Sequence, residues 1–246
     1  MTPRVYLDDP YCRACEAAVV ASADGASVLS RTVFHPGGGG QPHDRGALVV
    51  VGEALAVTSV REDERGQIWH HVGRELAVGD AATPTIEWPF RYALMRHHAL
   101  LHVVNTIALR EFGARMTGTQ LGPERSRIDF DFAGSGFARE RVADFEAKVN
   151  AVLAAELPIA GSVITEADYR ARPELVRTRD VAPPVVDGAV RIVTIGDWDA
   201  QACGGTHVHS TREIGAARIV KFDNKGRDNK RLYWELAPAA EPTSPP

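Results

Sequence analysis

No stretch of about 18 apolar residues occurs in the chain, so a membrane-spanning helix is not expected. The opening residues, Met1 through Asp9, lack the basic, apolar and small-residue blocks of a secretory leader, which makes the cytoplasm the expected location. Cysteine is scarce. Only Cys12, Cys15 and Cys203 are present, and an odd number without an export signal argues against a disulfide framework. Those thiols are left as buried filler or as metal ligands. Excess positive charge is lacking too: at a formal net charge of −4 the chain exerts no global pull on nucleic acid. Any RNA affinity must then come from a local basic patch. No internal repeat is present.

The 246 residues, 44% of them hydrophobic, suffice for a real core in one large unit or two small ones. From Val5 to about Ile86 the chain reads as short β-branched segments broken by turns: Ala18 to Val20, Ser27 to Phe34, Leu48 to Val51, Leu55 to Val60 and Ile68 to Val72. Frequent short strands with Gly and Pro between them predict a small barrel or sandwich. Pro84 and Pro89, on either side of Trp88, put a domain boundary near residue 90.

Beyond it, helix and strand signals alternate. Tyr92 to Phe112 is apolar at helical spacing, with Gly113 as a stop. Ser126 to Phe132 alternates as a half-buried strand does, and Arg139 to Leu157 returns to helix until Pro158. Thr165 with Asp168 resembles a capping box, and Val190 to Ile195, Ala217 to Phe222 and Arg231 to Leu236 read as strands. The expected fold is α+β: a small β-barrel-like domain over 1–90, an α/β domain over 91–237 and a disordered Pro-rich tail over 238–246.

His98 and His102 form an i, i+4 pair whose side chains share one helical face and can converge on a metal. The residue after the first His is Ala99, where a His-Glu-x-x-His zinc peptidase needs its Glu base, so that class is disfavoured. About a hundred residues later, Cys203-Gly-Gly-Thr-His207 has two glycines that allow a tight turn, bringing thiolate and imidazole to one point. Two His from a rigid helix plus Cys and His from a loop are the donor types zinc prefers. His97 points about 100° away around the helix, and His209 flanks the loop ligand. His70 and His71 beside Trp69 read as strand-end residues, and His35 and His43 bracket a glycine run. Cys12-Arg-Ala-Cys15 is half of a metal or redox motif with nothing to complete it, and reads as structural filler.

These paired motifs resemble those of alanyl-tRNA synthetase editing domains and their freestanding relatives, the AlaX alanyl-tRNA editing proteins. Thr32-Val-Phe-His-Pro-Gly-Gly-Gly-Gly-Gln-Pro42 is similar to the family's glycine-rich motif, Ser126-Arg-Ile-Asp-Phe-Asp131 to its central strand, and Glu213-Ile-Gly215 with Asn224-Lys-Gly226 to its final segment. The likeness runs from about Tyr6 to Leu236 and corresponds to the medium-length form. It implies a two-layer α/β domain with the threonyl/alanyl-tRNA synthetase editing fold after residue 90. Two positions depart from the pattern: Ala99 stands where Thr is usual and Gly37 where Glu is usual, and neither removes a ligand.

The resemblance implies hydrolysis of the aminoacyl ester on tRNA(Ala) mischarged with serine or glycine. It implies one zinc ion per chain on His98, His102, Cys203 and His207. No class II synthetase region fits ahead of residue 1, so correction in trans is expected. Substrate contacts are expected at Thr119, Thr117 and the loop of Gly38, Gly39, Gly40 and Gln41. Residues 212 to 231 hold seven cations and three acids, a net of +4, and Lys221, Lys225, Arg227 and Lys230 are the expected phosphate contacts. Zinc there can activate water or hold the substrate; the sequence leaves both open, as it does oligomeric state. An RNA-binding module with a structural zinc is the alternative.

Overall fold

Val19, Val28, Leu48, Val57, Val60 and Ile68 are each buried and each fall on a different short segment of the first ninety residues. In the computed structural model, which describes residues 1–177, 185–226 and 228–238, those segments are strands of one sheet. After a short helix α1 (Val5–Asp8) come β1 (Ala17–Ala23), β2 (Ala26–Leu29), β3 (Gly46–Val50), β4 (Glu53–Val57), β5 (Ser59–Glu62), β6 (Ile68–His71) and β7 (Ala81–Ile86). Their order is β4-β3-β7-β1-β2-β6-β5. Neighbouring strands are antiparallel, and one core forms around Tyr6, Phe34, Leu48 and Ile68.

The expected barrel does not close. β4 and β5 are the two ends of the ladder, yet they follow each other in sequence with Thr58 alone between them. Two segments running head to tail in one extended stretch cannot lie side by side and exchange hydrogen bonds, since antiparallel pairing needs a reversing turn. Leu55 to Val60, read from sequence as one strand, therefore serves both ends of the sheet. Pro84 lies inside β7 rather than breaking the chain, opposite Leu48 of β3.

A helix, α2 (Trp88–Phe112), follows, with Pro89 in its first turn, where a missing N–H costs nothing. Near its start Arg91 is fully buried against the equally buried Asp44. Its Nε donates to Asp44 Oδ1 at 2.8 Å, and its other nitrogens reach the carbonyls of Pro10 (3.0 Å) and Val33 (2.6 Å). Four of the five N–H donors of this guanidinium are thus met from the strand-rich unit. That first compact unit ends at Ala93, and the second begins at Leu94.

The second unit contains β8 (Arg115–Gln120), β9 (Arg125–Asp131), α3 (Val142–Leu153), β10 (Ile159–Thr165), α4 (Glu166–Arg170), β11 (Val185–Val186), β12 (Ala189–Ile195), β13 (Asp199–Ala202), α5 (Thr211–Ile214), β14 (Ala217–Asn224) and β15 (Asn229–Leu236). One sheet runs β14-β15-β9-β8. Alternation on β9 and β15 buries Ile128, Phe130, Leu232 and Trp234, and Phe145 of α3 meets the Trp234 ring at 6.2 Å. In the other sheet β12 is central, paired with β10, β11 and β13. Thr165 caps α4 by accepting from Asp168 N at 3.0 Å, as its spacing predicts. The mixed α and β character agrees with expectation; the predicted tail past Pro238 lies outside the described residues. Among the described residues no helix is long and apolar enough to cross a membrane.

The Arg91–Asp44 pair sets a stability test. Asp44→Ala strands a buried cation and is expected to cost about 3–5 kcal/mol in urea unfolding, whereas Asp44→Leu combined with Arg91→Met should cost clearly less. Equal losses in the two variants would show that the charges are not coupled.

Candidate metal centre

Residues Leu94 to Ala108 of α2 are buried without interruption, and among them sit His98 and His102, one turn apart with ring centroids 5.2 Å from each other. The opposing element is the β12–β13 hairpin, in register from Ile195 with Asp199 to Ile192 with Ala202. Cys203 N extends that ladder to Arg191 O at 3.0 Å, so the thiol stands at the end of a hydrogen-bonded strand. The Cys-Gly-Gly turn then folds back: Gly205 N approaches Cys203 Sγ at 3.4 Å, and Arg191 Nη1 donates to the carbonyls of Cys203 (3.1 Å) and Gly205 (2.9 Å). Glycine at position 161 leaves room for that guanidinium, because a Cβ there would lie 2.7 Å from Arg191 Nη2. Just after His207, Ser210 and Glu213 complete a reciprocal capping box on α5.

The outcome is one cluster. His98, His102, Cys203 and His207 each offer a ligand atom, and these atoms lie within 4.8 Å of one another. Cys203 Sγ is 3.5 Å from His98 Nε2 and 3.3 Å from His207 Nε2. The His207 ring lies 4.3 Å from that of His98 and 4.4 Å from that of His102. A tetrahedral ion with ligands at about 2.0–2.3 Å requires ligand spacings of about 3.3–3.8 Å; the two sulfur–imidazole distances meet this, while the set as a whole, spread over up to 4.8 Å, would draw together around an ion. His102 Nδ1 is buried with no hydrogen-bond partner. Burial pushes His102 down to about 4, against the opposing pull of the Asp199 carboxylate, so its ring is neutral near pH 7 with a lone pair to give. The same burial pushes the Cys203 thiol up, partly offset by the Gly205 N–H and by Arg191. A divalent cation would reverse that last shift. The cluster can hold a metal ion.

Other sequence candidates lie elsewhere. His97 is buried and pushed down to about 4, chiefly by desolvation, while His209 is exposed with its N–H on Glu213 Oε1. His70 is held by Thr32 (2.7 Å) and Ser27 (3.2 Å), and Cys12 and Cys15 pack against the core of the first unit, as filler would. Gly38, Gly39 and Gly40 form the exposed tip of a hairpin in that unit, closed by paired bonds between Gly38 and Gln41, whose side chain is buried. Gly37, at φ +89°, has His43 N 3.1 Å from where a Cβ would stand, so the Glu usual in the pattern would be strained here. Thr119 lies on β8 opposite Ile128, and Thr117 sits at the bulge between Met116 and Gly118.

The basic segment needs correction. Lys230 is 7% exposed, its ammonium donating to Asn224 Oδ1 (2.6 Å) and Gly226 O (3.0 Å), which closes the β14–β15 hairpin and withdraws it from phosphate. Lys221 is exposed beside Asp223 (2.9 Å) and over the Tyr233 ring, Lys225 is exposed, and Arg227 lies outside the described residues. Arg231 is clamped on Asp129 by two bonds of 2.7 Å. Sequence reasoning also passed over Arg191, Asp199 and Gln201. The last two alternate with alanines in β13, and polar residues at the inward positions of a strand are a signal that could have found them.

Comparison with known proteins agrees with this geometry. The family model described as the threonyl and alanyl tRNA synthetase second additional domain matches residues 190–233, the stretch holding Cys203 and His207. An alanyl-tRNA editing protein AlaX-M of Saccharolobus solfataricus is 34% identical over 97% of this chain and 100% of its own length. The AlaX-M of Methanosarcina barkeri is 37% identical over 96% of this chain and 99% of its own. An alanine–tRNA ligase of Hyperthermus butylicus is 35% identical over 90% of this chain but only 24% of the ligase. Matched along almost its whole length to proteins of nearly the same size, the chain belongs to the AlaX-M family of alanyl-tRNA editing proteins.

Proposed function

We propose that the chain is a zinc-dependent deacylase acting in trans on tRNA(Ala) mischarged with serine, and with glycine as a second substrate. The observation that carries this reading is the set of three buried imidazoles and one half-buried thiol within 4.8 Å, in a chain of this family. His98, His102, Cys203 and His207 would hold the ion. When bound there, zinc would supply Lewis acidity for polarising the ester or a nearby water.

The chain's own residues do the rest. Helix α2 presents its two histidines on rigid, buried backbone, so they need no rearrangement on loading. Arg191 holds the Cys203–Gly205 turn by its carbonyls and keeps the thiol facing the imidazoles. The Thr119 hydroxyl is assigned to the serine side chain, with Thr117 second, because a pocket cannot exclude the smaller alanine sterically and must discriminate by a hydrogen bond that only serine makes. Gly38, Gly39 and Gly40 offer bare backbone to the tRNA, with Gln41 holding the hairpin. Lys221 and Lys225, together with Arg227, are assigned to phosphate binding, Lys230 being bound within its own hairpin.

Deacylation of seryl-, glycyl- and alanyl-tRNA(Ala) tests the activity. Serine and glycine should be released well above the rate without enzyme; no release of either would leave an RNA-binding module with a structural ion. Elemental analysis should find about one zinc per wild-type chain, near none in Cys203→Ala, and full content in a Cys12→Ser, Cys15→Ser double variant. Full zinc in Cys203→Ala would sink the assigned site.

Thr119→Val keeps shape while deleting a hydroxyl. It should slow serine release about tenfold, the worth of one buried hydrogen bond of roughly 1.5 kcal/mol, and narrow the gap to alanine. Unchanged discrimination in a folded, metal-loaded variant would acquit Thr119. Replacing Lys221 and Lys225 with Ala should weaken tRNA binding and flatten log K against log salt by about 1 for each phosphate no longer neutralised. An unaltered slope moves the tRNA surface elsewhere.

A further inference from the structure

The two halves of the metal cluster come from elements about a hundred residues apart, and their spacing must be held to a fraction of an ångström for four ligands to share one ion. The β12–β13 hairpin reaches α2 at two places. Near its turn, Arg110 of α2 lies over the Trp198 ring at 4.8 Å and donates to the Trp198 carbonyl. At its other end, two residues before Cys203, the buried Gln201 crosses to the helix. Its Nε2 donates to His102 O (3.0 Å), to Asp199 Oδ2 (2.7 Å) and to Thr106 Oγ1 (3.0 Å), while its Oε1 accepts from Asn105 Nδ2 (3.0 Å). Asp199 is in turn held by Arg177 at 2.7 Å.

The chemistry of these partners dictates which way the amide faces. The His102 carbonyl and the Asp199 carboxylate can only accept, so nitrogen must face them, and Asn105 presents its NH₂ to the oxygen. Two amide protons serve three acceptors, and the Thr106 hydroxyl, which has a proton of its own, is the one that can let go. Gln201 thus grips the carbonyl of a ligand residue on one element while sitting in the strand that delivers the other two ligands.

We infer that Gln201 is a positioning residue for the metal centre, setting the distance between the helix that carries His98 and His102 and the turn that carries Cys203 and His207. It touches neither ion nor substrate. The inference rests on the zinc reading above. It makes Gln201 responsible for metal affinity through preorganisation, a role that outer residues of metal sites fill at a cost of about 10- to 100-fold when removed.

The test compares Gln201→Met, which keeps length and burial but drops every hydrogen bond, with Gln201→Glu, which sets a carboxylate against a carbonyl and a second carboxylate. Asn105→Leu removes only the bond to Oε1. Asn150→Leu serves as the control: on α3 its side chain clasps both backbone groups of Ala217 at 2.8 and 2.9 Å, outside the cluster. Zinc affinity is read by chelator competition, site geometry by the visible spectrum of the cobalt-loaded full chain, and stability by melting without metal.

Gln201→Met should weaken zinc binding about 10- to 100-fold and alter the cobalt spectrum, Asn105→Leu should do the same to a smaller degree, and Asn150→Leu should lower melting with affinity and spectrum unchanged. Should Gln201→Glu fail to fold, the other two site variants decide. Wild-type affinity and spectrum in Gln201→Met, with a melting loss like that of Asn150→Leu, would overturn the positioning role while leaving the metal site intact. A wild-type chain that takes up no zinc would overturn the metal reading and this one with it.

Discussion

A helix enclosed on every side has to find partners inside the protein for each polar side chain it carries, and the second unit is organised around that obligation. Between Leu94 and Ala108 nothing on α2 reaches solvent freely, yet the stretch includes Arg96, His97, His98, His102, Asn105 and Thr106. Arg96 is answered by the carbonyls of Glu213, Ile214 and Ala237, at 2.7 to 2.9 Å, which brings the end of α5 and the exit of β15 against the helix. Asn105 and Thr106 are answered by Gln201, and His98 and His102 face Cys203 and His207. Loops that would otherwise wander are fixed where the helix needs donors or acceptors, so the polar residues specify which segments meet while the apolar ones supply the bulk of the burial.

That division explains what could be read in advance. The ligand pairs are each local, one by helical spacing and one by a tight turn, and local spacing survives without knowledge of the fold. Strands with clean alternation, such as Ser126 to Phe132 and Arg231 to Leu236, were equally legible. Others were not. β10 carries Gly161, Ser162 and an exposed Val163, so no inward face repeats along it; β8 is broken by its bulge at Thr117; and β13 has only four residues, with its polar side chains turned inward. The barrel-like expectation is not confirmed: the apolar alternation of Leu55 and Val57 slips by one at Val60, and at Thr58 the chain changes partner from β3 to β6. The withdrawal of Lys230 was invisible because its acceptors, Asn224 and Gly226, are set by a hairpin register that composition does not encode.

The electrostatics of the cluster follow from the same enclosure. Burial favours the uncharged form at both a nitrogen and a sulfur donor, lowering His102 and raising Cys203. A cation held there would require the thiol to give up its proton to become a ligand. Arg191, bonded to the carbonyls of the turn, adds positive potential that favours the ionised thiol.

Sequence separation gives the site a timetable. The bond partners Cys203 and His98 stand 105 residues apart, and the hairpin that bears the thiol is built from residues that leave the ribosome long after α2 has emerged. With the last ligand at His207, the four donors cannot assemble until most of the chain has been synthesised. An isolated His98–His102 pair on a nascent helix offers too few ligands to retain an ion against cellular competitors. Capture of an ion at this cluster would thus follow folding of the second unit rather than start it, and a truncated chain ending before the Cys-Gly-Gly turn would lack two of the four donors.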